Sequence, residues 1–432
     1  MTDTIKIGLL GAGTVGSGVI KVLRENAAAI KARVGTELVI AKVLVRDAKK
    51  TRPELTGLAV VEDVEEILQD PSISVVVEVM GGTTPSKDYM LRAMEAGKSV
   101  VTANKDVVAE YGQEMFAMAE KHRVAFLFEA SVGGGIPIIA PLKRSLTANR
   151  LTEVMGIVNG TTNYMLTRMA EAKVGYEQAL QEAQAKGYAE ADPTADVAGM
   201  DAARKAAILA SLAFNTRISL RDVYVEGITR ITADDISYAS DLGYAVKLLA
   251  VGQDISGKGV SVRVHPVFLP QNHPLAAVNG VYNAIFLKGN AIGEAMFYGP
   301  GAGSLPTASA VVADIIEAAR AKIGGSLEGL GCTCYAAKPL CPIAEIESCY
   351  YVRLWVDDEP GVLGNIATAF GNAQVSLKSV IQTKPSVEGR TEIVAITHLV
   401  EHRKLNEALA SLRELKVVDD IRNVIRVEKD RG

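Results

Sequence analysis

The stretch IKIGLLGAGTVGSGVIKVL, residues 5–23, decides the architecture. Its first six residues, IKIGLL, form a largely apolar run typical of a buried parallel strand. GAGTVG follows at once and puts Gly11, Gly13 and Gly16 at G-x-G-x-x-G spacing. A helical pattern then runs through Val19, Ile20, Val22 and Leu23. The glycines alone are a weak signal; a strand before them and a helix after them give the motif its meaning. Gly11 permits the tight turn. Gly13 lets the backbone approach a pyrophosphate, which the free N–H groups of the helix N-terminus stabilise. Leu10, Gly11, Ala12, Gly13, Thr14, Val15 and Gly16 are therefore the candidate dinucleotide contacts.

Outward from this unit, strands and helices alternate. LVIAKVLV at 38–45 reads as a second strand and ends in Arg46-Asp47. An acid here binds a ribose 2′-OH, whereas an arginine pairs with a 2′-phosphate. Arg46 tilts the choice toward NADP(H), and Asp47 leaves NAD(H) open. SVVVEVM at 74–80, SVVTA at 99–103 and VAFLFEA at 124–130 read as further strands, with helices at 85–96 and 107–121. Such alternation gives a doubly wound parallel sheet, which binds its ligands at the C-terminal ends of the strands. Thr83, Lys105 and Glu129 fall at such ends. Lys105 reads either as a solvated loop lysine or, directly after a buried strand, as a cleft residue. SVGGGIPII at 131–139 is a glycine-rich turn leading into a helix, with Pro137 near its first turn. Three consecutive glycines imply close backbone approach, to another segment or to an ion held by carbonyl oxygens.

The pattern changes at Leu151. LTEVMGIV is a strand, and NGTTNY leads into a helix N-capped at Thr161 or Thr162. Helices at 161–172 and 176–186 precede GYAEADPTADVAGMDAARK, residues 187–205, which holds Glu190, Asp192, Asp196, Asp201 and then Lys205. Pro193 and Gly199 interrupt helix, so the first three acids are expected on a loop. Asp201 and Lys205 are four apart at the start of a strongly apolar helix and share one face. That pair is either a surface ion pair or a proton-handling site. Strands follow near 222–228, 260–268, 281–288 and 294–298, with a helical region near 233–251. GPGAGS at 299–304 starts a helix to about 323, and the amides near Gly303 are placed to face the cofactor. After a linker at 324–348, the order βαββαβ describes a small ferredoxin-like module. The expected domains are residues 1–135 for the dinucleotide, with helix 304–323 packing back on it, 136–303 for substrate and dimerisation, and 349–428 for the last module.

Composition limits what the chain does. Hydrophobic residues make up 48% and charged residues 22%, an ordinary globular balance. A formal net charge of -4 and no Lys/Arg-rich run argue against a nucleic-acid partner. No apolar run spans a bilayer and no signal-like segment precedes the first strand, so no membrane role and a cytoplasmic location are expected. The four cysteines, Cys332, Cys334, Cys341 and Cys349, all lie late in the chain. This disfavours a disulfide framework and an early cysteine nucleophile. The five histidines, His122, His265, His273, His398 and His402, lie outside the candidate motifs.

GAGTVG, TANK at 102–105, EASVGGGIP at 129–137, GIVNGTTNY at 156–164, the 187–205 stretch and GPGAGSLPTASAVVAD together resemble homoserine dehydrogenases with a C-terminal ACT domain. The resemblance covers nearly the whole chain. It implies an α/β protein: a Rossmann-type doubly wound parallel sheet, an α+β substrate and dimerisation domain, and a ferredoxin-like ACT domain. It implies reversible reduction of L-aspartate 4-semialdehyde to L-homoserine with NADP(H) or NAD(H), in a homodimer or tetramer. Lys205 matches the acid/base lysine, with Lys105 near it. Glu190 and Asp201 match substrate contacts, with Asp196 and Gly187 beside them. Glu129, Val132, Gly134 and Ile136 match positions where the family holds a sodium ion, largely by main-chain oxygens. The ACT resemblance implies feedback inhibition, most plausibly by L-threonine at the DEPGVLGN turn, residues 358–365. Two rival readings are an aspartate-semialdehyde dehydrogenase, which needs a cysteine thiolate, and an amino-acid-sensing protein on a Rossmann scaffold.

Overall fold

The computed structural model describes residues 4–382 and 385–429. In chain order the first strands are β1 (Ile5–Leu10), β2 (Leu38–Leu44), β3 (Ala59–Val61), β4 (Ile73–Glu78), β5 (Ser99–Thr102), β6 (Phe126–Leu127) and β7 (Leu151–Ile157). Then come β8 (Val223–Val225), β9 (Tyr244–Ile255), β10 (Gly259–Pro270), β11 (Tyr282–Gly289) and β12 (Gly293–Pro300). The last are β13 (Glu347–Asp357), β14 (Leu377–Ile381), β15 (Arg390–Thr397), β16 (Val400–Glu401) and β17 (Val418–Val427). The helices are α1 (Thr14–Glu25), α2 (Ala27–Val34), α3 (Glu65–Leu68), α4 (Ser86–Glu95), α5 (Lys105–His122), α6 (Gly160–Ala172) and α7 (Tyr176–Ala185). They continue with α8 (Thr194–Val197), α9 (Met200–Ala213), α10 (Ala233–Asp241), α11 (Ser304–Gly324), α12 (Val362–Asn372) and α13 (His402–Glu414). By contact density the chain divides into two units.

Among the described residues the first unit holds 4–158, 204–223 and 282–337. Its main sheet has the order β3-β2-β1-β4-β5-β6 with every neighbouring pair parallel. Val75, Val76 and Val77 are fully buried, as a strand covered on both faces requires. The strand order reverses between β1 and β4, winding outward one way to β3 and the other way to β6, and in such sheets the crevice beyond that point receives the ligand. Helix α11 packs along α1, and its Val311, Ile315, Ala318 and Ala319 join Ile7, Val19 and Ile20 in one core. Three further strands of this unit pair antiparallel in the order β12-β11-β7.

The other unit holds residues 159–203, 224–281, 338–382 and 385–429. Its strands run β9-β10-β17-β13-β15-β14. Within this series β13, α12, β14, β15, α13 and β17 follow the expected βαββαβ order. Tyr350, Val352, Leu354, Ile366, Phe370, Leu405 and Leu412 fill the space between the module's sheet and its two helices. Buried Asp235, at the start of α10, accepts from Arg353 Nε at 2.9 Å, Tyr351 at 3.2 Å and Asn423 at 2.7 Å. This satisfied polar cluster fixes the module against α10.

Several local expectations change. The helical region near 233–251 is a helix only to Asp241, because Gly243 takes the left-handed conformation (φ 81°) and ends it. Tyr244–Ile255 is a strand whose residues 246–252 are all buried, an apolar run in which a central strand and a buried helix read alike. The N-cap of α6 is Asn159 rather than Thr161 or Thr162. Pro193 caps the single-turn helix α8 instead of preventing it, so Asp196 is helical while Glu190 and Asp192 stay on the loop. Pro137 lies two residues before the helical turn at 139–145, near its start as expected. Strand β6 is only Phe126–Leu127, and Glu129 opens a 3-10 turn.

Candidate active site

At the end of β1, Gly11 has φ 104°, and a Cβ there would meet the Val79 carbonyl oxygen at 3.1 Å. A Cβ on Gly16 would lie 2.2 Å from the Gly11 carbonyl, so only glycine lets α1 start this close to the strand. Gly13 faces open space, with nothing within 4 Å of its ideal Cβ. Leu10 is buried beneath the turn, and Thr14 and Val15 begin α1. Ser304 Oγ donates to the Thr14 carbonyl at 2.7 Å and joins the α11 N-terminus to the same turn. Gly303, with φ 123°, is the N-cap residue of α11. An exposed glycine between a parallel strand and a helix N-terminus fits a dinucleotide pyrophosphate.

Arg46 lies exposed two residues beyond β2. Among the described residues nothing engages its guanidinium. The Asp47 carboxylate instead accepts the Lys49 N–H at 2.8 Å, closing a local turn.

Sequence reasoning missed the buried Glu78 at the end of β4. Its Oε1 accepts the N–H groups of Met80 (2.8 Å) and Gly81 (3.2 Å), and its Oε2 accepts the Thr102 hydroxyl (2.7 Å). Thr102 Oγ1 accepts the Asn104 N–H at 3.0 Å, and Asn104 Nδ2 donates to the Gly82 carbonyl at 2.6 Å. Asn104 also N-caps α5 through the Val107 N–H. This chain holds the loop bearing Thr83 against the start of α5, where Lys105 is the first helical residue. The available signal was a lone acid inside an otherwise apolar strand.

Glu129 is buried and its carboxylate accepts three backbone N–H groups: Ile138 at 2.6 Å, Ile139 at 2.7 Å and Ala140 at 2.7 Å. It satisfies the free donors of the following helical turn. Burial pushes its carboxyl upward, against the three N–H groups that pull it down. Asp314 accepts the Glu129 N–H at 2.7 Å, and burial pushes its carboxyl well above the usual range. Val132, Gly134 and Ile136 are buried on the same loop. What approaches the glycine run is another segment: Gly135 N–H donates to the Pro300 carbonyl, and a Cβ on Gly134 would lie 2.3 Å from the Gly301 oxygen. Among the described residues no group of three or more His, Cys, Asp or Glu is gathered as a metal cage.

In helix α9 the Lys205 ammonium donates to the Val158 carbonyl at 2.7 Å and is half-buried. One residue earlier, Arg204 pairs with Asp106 on α5 at 2.8 Å. In the other unit, Asn159 Nδ2 donates to Asp196 Oδ1 at 2.7 Å and to Asp201 Oδ2 at 2.9 Å. Asn159 Oδ1 accepts the N–H and the hydroxyl of Thr162. One asparagine, which sequence reasoning passed over, thus caps α6 and brings two predicted acids together. Its signal was an Asn before a helix start. Asp201 is buried, while Glu190 and Gly187 lie exposed on the preceding loop. Asp192 accepts the Thr194 N–H at 3.0 Å and shapes that loop.

A family model described as "Homoserine dehydrogenase" matches residues 137–316. One described as "Homoserine dehydrogenase, NAD binding domain" matches residues 11–129, and one for the ACT domain matches residues 350–417. The homoserine dehydrogenase of Bacillus subtilis (strain 168) is 42% identical over 429 residues, 98% of each chain. That of Mycobacterium tuberculosis (strain ATCC 25618 / H37Rv) is 45% identical over 432 residues, again 98% of each. The crystal structure of a homoserine dehydrogenase from Thiobacillus denitrificans superposes with a TM-score of 0.94 at 39% identity, covering 99% of both chains. A hyperthermophilic archaeal homoserine dehydrogenase in complex with NADPH gives a TM-score of 0.62 at 28% identity, over 73% of this chain and 97% of that one.

Proposed function

This chain belongs to the homoserine dehydrogenase family, and from that premise we propose how its residues carry out the oxidoreductase's chemistry. The reaction is reversible reduction of L-aspartate 4-semialdehyde to L-homoserine. A bound nicotinamide supplies or accepts the hydride. Lys205 gives the proton that neutralises the developing alkoxide and takes it back in the reverse direction. The observation that carries this role is the Lys205 ammonium held on the Val158 carbonyl at 2.7 Å, which fixes a cation at one point. Lys105, at the first turn of α5, assists it. Asp201, Asp196 and Glu190 supply carboxylates for the substrate ammonium, and Gly187 lets the loop bearing Glu190 turn (φ 73°).

NADP(H) is the preferred cofactor. Arg46 is exposed at the end of β2, and the Asp47 carboxylate is already engaged by a backbone N–H. Sodium is held by main-chain oxygens around Glu129, Val132, Gly134 and Ile136, while the Glu129 side chain caps the next turn. The ACT domain senses L-threonine. The enzyme is a cytoplasmic homodimer or tetramer; the exposed Tyr282, Met296 and Tyr298 on the β11–β12 hairpin support association through that edge. Among the described residues no helix is long and apolar enough to cross a membrane.

The test is a steady-state assay with homoserine and either NAD or NADP, comparing Lys205→Met with wild type. The variant is expected to lose about 10²–10⁴-fold in kcat while binding NADPH as before. Activity within a fewfold of wild type removes Lys205 from the reaction. L-threonine added to the same assay should inhibit wild type and leave a chain ending at residue 348 unaffected.

A further inference from the structure

The second unit contains a cavity of about 450 Å³ that the catalytic reading does not use. It lies beside the 224–231 segment, one face of α13 from His402 to Arg413 and the second half of β17. Arg426 lines it and is only 4% exposed. Tyr224 and Tyr350 lie 5.1 Å and 5.7 Å from its guanidinium carbon, which covers the planar group. Its Nη1 donates to Glu226 Oε1 at 2.7 Å. Nε and Nη2, which make up the remaining lateral edge, have no acceptor among the described residues. Two buried, charged N–H donors without an acceptor are costly. The Nε–Nη2 edge is also the fork that pairs with a planar carboxylate by two parallel hydrogen bonds.

We propose that this cavity binds a free α-amino acid, with its carboxylate on the Nε–Nη2 edge of Arg426 and its ammonium on Glu226. Glu226 suits the second role: its Oε1 accepts from Arg426 and from the Tyr224 hydroxyl (2.5 Å), and no hydrogen bond among the described residues occupies Oε2. Arg230 and Arg413 are exposed at the same cavity, so its lining is net cationic and attracts a carboxylate. The site is distinct from the turn at 358–365. It deepens the regulatory reading of the C-terminal domain, on which only its inhibitory consequence rests.

The experiment is calorimetric titration of the full-length enzyme with L-threonine, L-serine, L-valine and acetate. At least one amino acid binds wild type, and its decarboxylated amine does not. Arg426→Lys, which keeps the charge and loses the fork, weakens binding at least about tenfold. Glu226→Gln weakens the amino acid more than acetate. No binding by any of the four, or equal binding to Arg426→Lys, overturns the proposal. If Arg426→Lys fails to fold, wild-type crystals soaked in the tightest binder decide: a carboxylate on the fork supports the site, and water or an adventitious additive only overturns it. Activity is read in parallel. L-threonine inhibition that persists in Arg426→Lys together with unchanged amino-acid binding overturns this site and leaves the regulatory reading standing. If wild type is not inhibited, the regulatory reading fails and the binding heats alone decide the site.

Discussion

Replacing Asn159 tests the polar hub that holds Asp196 and Asp201. Its Nδ2 gives one hydrogen to each carboxylate, at 2.7 Å and 2.9 Å, and its Oδ1 caps α6. Asn159→Asp keeps the cap oxygen and removes both donors. A hydrogen bond to a charged group contributes about 1.5–3 kcal/mol, with the upper part of that range expected at buried Asp201 and the lower part at the half-buried Asp196. The loss is then roughly 4–5 kcal/mol before repulsion among three carboxylates is added. Asn159→Ala loses the donors and also the cap, about 1 kcal/mol more, but adds no charge. Asn159→Asp is therefore the less stable variant near pH 8. The new carboxyl has its folded pKa raised by its two neighbours, above an unfolded value of about 3.9. The folded state then binds more protons than the unfolded one between those values, so stability falls as pH rises and recovers as pH falls. The assay is amide hydrogen exchange across Gly160–Ala172, together with KM for homoserine. Exchange is expected to quicken by roughly a hundredfold or more, since about 1.4 kcal/mol is tenfold. An Asn159→Asp enzyme as protected as Asn159→Ala at pH 8, or a deficit that does not shrink toward low pH, refutes the reasoning.

Other outcomes follow from single contacts. Arg46→Ala should raise KM for NADPH about tenfold or more and leave KM for NADH nearly unchanged; an equal effect on both removes the 2′-phosphate argument. Gly18→Ala would place a methyl 2.5 Å from the Ser304 carbonyl oxygen, forcing α1 from α11 at a cost of about 1–3 kcal/mol with weaker NADPH binding; a neutral substitution, read by thermal denaturation, would be incompatible with that packing. Burial lowers the Lys143 ammonium from 10.5 to about 8, while its Nζ donates to the Leu330 carbonyl. The unfolded chain therefore binds more protons between those values, and wild type gains stability as pH rises through that window. Lys143→Met should be favoured near pH 7 and lose ground to wild type toward pH 10, measured by urea unfolding; a difference independent of pH would contradict a buried charged lysine.

Much of the fold was legible because its strongest signals are local and periodic. β1, the glycine turn and α1 declare themselves within twenty residues, and the β13-to-β17 module keeps its order. Reading failed where one pattern serves two structures. Residues 244–251, YAVKLLAV, are apolar apart from Lys247 and show no alternation, so only Gly243 separated a strand from a longer helix. At Pro193 the same residue that breaks a helix interior starts a new turn. Short β3 and α3, within a polar stretch, gave no periodicity to read.

The candidate site divides along a similar line. The sequence singled out residues with chemistry at their tips, Lys105, Lys205, Asp196 and Asp201, because charged groups at strand or helix ends stand out. It passed over Glu78 and Asn159, whose task is to orient those ends. Glu78 gathers two backbone N–H groups and a hydroxyl from segments more than twenty residues apart. Asn159 joins a cap to acids 37 and 42 residues away. Neither partnership has a spacing rule, since each depends on which loops the sheet brings side by side. Composition does leave a trace of them: a buried strand that tolerates one acid must supply its acceptors with donors. The same test picks out Arg426 in the C-terminal module, whose Nη1 has Glu226 while its Nε and Nη2 have no acceptor among the described residues. A buried polar group fully engaged by protein, like Glu78, orients its neighbours, and one with donors left over marks where a ligand's acceptor fits.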